Sequence, residues 1–160
     1  MDKRTQERLN KLYPDIRNRY LRVWAQMKEI HGKKLRISQG IRTHDEQNEM
    51  YARGRTSPGT VITNARAGLS FHQYGLAIDS FFSGKHPYLA DDPKGHFYWA
   101  EYGRIAKEHG FVWGGHFSGL KDRPHIQFSY GLSIAEVLQI NTGLELKPLW
   151  LKLDAIREAQ

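Results

Sequence analysis

Two histidines and two aspartates stand in two short clusters, Ser70-Phe71-His72-Gln73-Tyr74-Gly75-Leu76-Ala77-Ile78-Asp79 and Asp122-Arg123-Pro124-His125. His72, Asp79 and His125 could together hold a zinc ion. Three protein ligands leave a fourth position open for water, the arrangement of a catalytic site; a structural site closes all four. Asp122 is then left over to act as a base. The chain has no cysteine, so a bound metal must use His, Asp or Glu, and thiolate chemistry and disulfides are both excluded. These residues point to a metal-dependent hydrolase rather than a binding module.

The spacing sets conditions on the backbone. His72 and Asp79 are seven positions apart, and on one straight strand an odd separation puts side chains on opposite faces. Gly75 lies between them and can bend the chain, so His72 sits in a turn and Asp79 on the strand that follows. On that strand Ala77 shares a face with Asp79, and Leu76 and Ile78 share the other. Asp79 stands in an apolar run, where a carboxylate buried without a partner would cost several kcal/mol. Pro124 pushes Arg123 into an extended conformation. His125 then starts an alternating strand with Gln127 on its face. Spacing alone does not bring Asp122 to the same side; a bend at the proline is needed.

The elements that must position these groups follow from pattern. Apolar residues at helical spacing (Ile16, Tyr20, Val23, Trp24, Met27) predict a helix from Pro14 to His31, stopped by Gly32. Leu35 to Ser38 reads as a short strand ending at Gly40. Thr43 with Glu46 is a capping box opening a helix that runs to about Arg53. Residues 55–69 are rich in Gly, Ser, Thr, Pro and Asn and read as an irregular segment leading into the site. Leu76 to Phe82 is a buried strand, 83–95 a surface loop, and Trp99, Tyr102, Ile105 and Ala106 mark a helix face before Gly110. Phe111 to Trp113 and His125 to Ser129 are strands, with a turn at Gly114-Gly115. Ser133 with Glu136 caps a helix ending near Gly143, and Pro148 starts the last one. Helices and short strands mix without a strand-helix-strand repeat, so the expected fold is α+β, a small antiparallel sheet with flanking helices in a single compact domain over 1–160.

Bulk properties narrow the setting. The 160 residues carry a formal charge of +7, which suits anionic partners such as acidic wall polymers. No long basic run or nucleic-acid motif appears, so no nucleic-acid partner is expected. No run of about 18 apolar residues exists, so no membrane insertion is expected. The polar start lacks the apolar core of a signal peptide, which predicts synthesis in the cytoplasm. His31, His44, His86, His96 and His109 read as structural or solvated, the first near a helix end and His86 and His96 in a loop. Trp24, Trp99 and Trp113 read as core.

Ser-x-His-x-x-x-Gly-x-Ala-x-Asp followed by Asp-x-Pro-His resembles the zinc peptidase family of D-alanyl-D-alanine carboxypeptidases, dipeptidases and phage L-alanyl-D-glutamate endolysins. Gly40-Ile41-Arg42-Thr43 with Glu46-Gln47, Tyr51 to Thr56, and Thr63-Asn64-Ala65 resemble the upstream half of the endolysin branch, and Trp113-Gly114-Gly115 its third block. The likeness runs from about Leu9 to Phe128. It implies His72, Asp79 and His125 as zinc ligands, Asp122 as the catalytic acidic residue, and Arg42 as the group that polarises the scissile carbonyl. Ser70 and Gln47 match supporting positions on the substrate side. From the residues alone, a surface salt bridge to Glu46, four positions on, is the leading reading of Arg42. Many relatives have Asp-Trp after the paired glycines, where this chain has His116-Phe117, which makes His116 a rival metal or substrate contact.

The resemblance implies a zinc-dependent peptidase that cuts the L-alanyl-D-glutamate bond of peptidoglycan stem peptides, as a phage endolysin does. One alternative is a D-alanyl-D-alanine carboxypeptidase or dipeptidase with the same chemistry. Another is a basic, non-catalytic wall- or nucleic-acid-binding protein with structural zinc, against which the spare carboxylate of Asp122 argues. No separate cell-wall-binding domain is expected. The enzyme would be a monomer that reaches peptidoglycan in the periplasm or wall through a holin-type lysis partner.

Overall fold

The computed structural model describes residues 1–84, 88, 94–141, 143 and 145–159. Six helices and four strands follow in the order α1 (Lys3–Asn10), α2 (Pro14–His31), β1 (Leu35–Gln39), α3 (His44–Ala52), β2 (Ala77–Phe82), α4 (Gly95–Glu108), β3 (Val112–Trp113), β4 (His125–Gln127), α5 (Ile134–Ile140) and α6 (Lys147–Glu158). Short 3₁₀ turns at Phe71–Tyr74 and Gly114–His116 precede β2 and follow β3. The fold is α+β.

The strands form one sheet in the order β1-β2-β4-β3, every neighbour antiparallel. Side chains alternate across it. Ile78 and Ile126, paired in register, are fully buried. Beside them Ser80 points at the helices: its Oγ meets the hydroxyls of Tyr20 on α2 at 3.0 Å and Tyr102 on α4 at 3.1 Å. Asp79, one residue earlier, therefore faces the other way, and its register partner is His125.

Helix ends follow local chemistry. Pro14 opens α2, and Gly32 closes it in the left-handed region at φ +63°. Capping boxes hold α3 (Thr43 and Glu46) and α5 (Ser133 and Glu136). Helix α1 has no counterpart in the sequence expectations. Its N-cap Asp2 accepts from Thr5 N at 3.1 Å. Thr5 then accepts from Ile37 N at 3.3 Å, and Arg8 donates to the Ile37 carbonyl, so α1 satisfies part of the open edge of β1.

One sequence expectation changes, and another cannot be compared. His96 lies in the first turn of α4, because the helix begins at Gly95, several residues before the apolar face becomes visible. The surface loop expected over 83–95, with His86, falls largely outside the described residues.

Candidate active site

The 3₁₀ turn carrying His72 and the strand carrying Asp79 are joined at Gly75, which adopts φ +72°. A side chain there would press on Tyr13 N and the Trp150 ring, both 3.2 Å from an ideal Cβ. The bend needs glycine twice over, for conformation and for space. It turns the His72 ring toward the face that Asp79 and His125 share.

Three atoms converge there. His72 Nε2 lies 3.2 Å from Asp79 Oδ1 and 3.2 Å from His125 Nδ1, and the last two are 2.9 Å apart. A tetrahedral ion with ligands at about 2.0–2.1 Å has ligand–ligand edges of about 3.3 Å. The outward nitrogens are also committed. His72 Nδ1 donates to the Gly40 carbonyl at 2.8 Å, and His125 Nε2 donates to Gln127 Oε1 at 2.9 Å. Each ring nitrogen that donates outward leaves its partner nitrogen with an inward lone pair. Two lone pairs and a carboxylate oxygen aimed at one point repel unless a cation lies among them. The set of two imidazoles and one carboxylate fits zinc, and acceptors on the outer nitrogens are what zinc-binding histidines need.

The electrostatics agree. Burial alone would raise the Asp79 carboxyl, but the His72 and His125 rings outweigh it and hold the group well below the usual carboxylate range. Burial would lower His125, yet Asp79 raises it above the ordinary imidazole value, so the site favours positive charge beside the carboxylate.

Arg42 is buried and reaches the same cluster. Its Nη1 donates to Gln47 Oε1 at 2.9 Å, and Nη2 lies 3.5 Å from Asp79 Oδ2. Its backbone N bonds the His72 carbonyl at 3.2 Å. The alternative of a salt bridge to Glu46 is not what forms, because Glu46 turns back to close the capping box on Thr43 N at 2.8 Å. Gln47 sits fully buried behind Arg42 and fastens the cleft wall through its 2.6 Å bond to the Ala65 carbonyl. Arg55 ties the same wall, donating to the Tyr51 and Thr63 carbonyls and to Asn64 Oδ1.

Asp122 comes to the cleft through a tight turn. Its N bonds the Gly114 carbonyl at 3.0 Å, and its own carbonyl accepts from His125 N at 3.2 Å. A Cβ on Gly114 would lie 2.4 Å from the Asp122 carbonyl oxygen, so the first glycine after Trp113 admits this turn. Burial and the neighbouring Asp79 charge push the Asp122 carboxyl above its ordinary value, which suits a proton acceptor working near neutral pH.

One cleft of about 430 Å³ is lined by Arg42, Ser70, His72, Asp79, Asp122 and His125 together. Gln47 supports it from behind. His116 is not brought in: its ring is exposed and packs on Trp113, centroids 4.8 Å apart. The next residue, Phe117, lines the cleft instead, 5.7 Å from the His125 ring. Phe117 and the Gly40 carbonyl were not singled out from sequence. Gln127 was placed on the face of His125 without a role, and its i, i+2 spacing was the available signal.

The sequence profile of D-alanyl-D-alanine carboxypeptidase matches residues 63–128, the span that carries all three converging side chains and Asp122. Over that span the chain is similar to this peptidase family. The peptidoglycan L-alanyl-D-glutamate endopeptidase CwlK of Bacillus subtilis (strain 168) is 41% identical over 97 residues, 57% of this chain and 58% of that protein. The chain thus spans a little over half the length of this curated relative. Among solved structures, the L-Ala D-Glu endopeptidase ChiX of Serratia marcescens aligns with TM-score 0.54 and 25% identity, over 81% of this chain and 90% of that one. The vancomycin resistance D,D-pentapeptidase VanY, solved in complex with Zn(II), aligns with TM-score 0.52 and 17% identity over 84% and 81%, a likeness of fold. Zn²⁺ is the cofactor for which the triad is suited.

Proposed function

We propose that this chain is a zinc-dependent peptidoglycan endopeptidase that hydrolyses the bond between L-alanine and D-glutamate in stem peptides. The observation that carries the reading is the convergence of His72 Nε2, Asp79 Oδ1 and His125 Nδ1 in the cleft that also holds the Asp122 carboxylate. Similarity to CwlK and ChiX supports the choice of bond.

When bound, the ion supplies a water of lowered pKa and polarises the amide carbonyl. Asp122 takes the proton of the attacking water and returns it to the leaving amine. Arg42 keeps its charge at working pH and is oriented by Gln47, so it can stabilise negative charge growing on the carbonyl oxygen. Ser70, on the same cleft wall, offers a hydroxyl to the peptide.

The finer reading is a bacteriolytic phage enzyme, acting as a monomer on a wall reached through a holin-type lesion. The charge of +7 suits a substrate bearing carboxylates. No described helix is long and apolar enough to cross a membrane. The test is mass spectrometry of purified peptidoglycan after digestion, with and without chelator. New D-glutamate amino termini that vanish with chelator are the expected result. Release of free D-alanine with the L-alanine to D-glutamate bond intact would move the protein to the carboxypeptidase reading.

A further inference from the structure

Asp122 stands on the divide between two cavities. One is the cleft with His72, Asp79 and His125. The other, about 390 Å³, is lined among the described residues by Tyr88, Trp99, Lys121, Asp122, Arg123 and Pro124. Lys121 and Arg123 are exposed, and neither side chain has an ion pair or hydrogen bond among the described residues. The nearby cleft arginines are engaged: Arg42 with Gln47 and Asp79, and Arg55 with the wall it staples. The turn bearing these two cations is pinned by hydrogen bonds. Besides the bonds of Asp122, Trp113 Nε1 donates to the Arg123 carbonyl at 2.8 Å.

We propose that Lys121 and Arg123 are specificity-determining residues that bind a free carboxylate on the substrate residue whose nitrogen leaves. The inference rests on the proposed function and names what that site selects. In an L-alanyl-D-glutamate bond the leaving nitrogen sits on the glutamate Cα. Where glutamate continues the stem through its side chain, the same carbon carries a free carboxylate. Nitrogen and carboxylate carbon are then two bonds apart, about 2.5 Å. Asp122 must reach that nitrogen to protonate it, which brings the carboxylate next to Asp122. Two anions so close repel, and a carboxylate lying toward the second cavity, which Lys121 and Arg123 line together with Asp122, would meet the opposite charge there. Arg123 can hold a carboxylate with two parallel N–H bonds, and Lys121 adds a point charge. An α-carboxamide at the same place gains neither.

The test compares two synthetic stem peptides that differ only in an α-carboxylate or α-carboxamide on D-glutamate. Zinc-loaded wild type, Lys121→Ala, Arg123→Ala and the double variant are assayed for kcat and KM, with zinc content and circular dichroism recorded. Wild type is expected to show a KM about tenfold lower for the carboxylate peptide, the scale of one charged hydrogen bond. Each single variant erodes the preference. The double variant abolishes it by raising the carboxylate KM, with kcat and the carboxamide KM within twofold of wild type. Equal kcat/KM of wild type for both peptides, or a preference that survives in the double variant, overturns the inference alone. Failure of wild type to cut either peptide before D-glutamate overturns the proposed bond choice and the inference with it.

Discussion

Gln127 Oε1 accepts from His125 Nε2 at 2.9 Å, and the Nδ1 of the same ring lies 2.9 Å from Asp79 Oδ1. The two residues are i and i+2 on β4, so strand periodicity places both side chains on one sheet face. A side-chain amide thereby helps hold the ring with its Nδ1 toward the candidate metal site. Gln127→Ala is expected to weaken zinc binding about 10–100-fold, read by competition with a chromogenic chelator. Gln127→Glu, which keeps an acceptor, should recover most of the affinity. Unchanged zinc affinity in the alanine variant would show that the ring needs no such partner.

Asp122→Asn should keep its zinc and lose about 10²–10⁴-fold in kcat, because an amide retains the shape and loses the basicity. Zinc content by mass spectrometry beside single-turnover kinetics checks this. A variant that loses metal and keeps its rate per zinc would make Asp122 a ligand.

Gly114→Ala is expected to act on Asp122 at a distance from the chemistry. The added Cβ meets the Asp122 carbonyl oxygen at 2.4 Å and His125 Cβ at 3.1 Å, so the turn must shift. The cost should be about 1–3 kcal/mol in stability, with a fall in turnover that exceeds it. Gly119→Ala meets nothing within 4 Å and should leave the thermal midpoint unchanged. The comparison is made by thermal unfolding and peptide hydrolysis on the same samples.

Zinc affinity should depend on pH through His125. Its pKa is raised in the metal-free site, whereas Asp79 is held low. The metal takes the neutral imidazole. Affinity is therefore full above the raised His125 value and falls as pH drops through it, while Asp79 stays ionised. Isothermal titration across pH 5 to 8 should show weaker binding and more proton release on the acid side. Affinity flat over that range would contradict proton competition at His125.

The sequence alone determined the parts whose reasons are local. The ends of α2 are written in Pro14 and Gly32, and those of α3 and α5 in capping boxes, because each depends on groups within one turn of the chain. The residue types and spacing of the two clusters were enough to name the candidate ligands, and alternation placed Gln127 with His125. Helix α1 escaped notice because only Thr5 and Leu9 of its eight residues are buried, too few to make a period. What tertiary structure decided depends on contacts between distant segments. The register that pairs Asp79 with His125 joins residues 46 apart. Arg42 could pair with Glu46 by spacing, yet folding buries it against Asp79 and Gln47 while the helix cap takes Glu46. His116 and Phe117 are adjacent in sequence, and the turn after Gly114-Gly115 alone determines that the phenyl ring enters the cleft and the imidazole stays on Trp113. Local rules state what a side chain can do; packing across the sheet selects which neighbour it does it with.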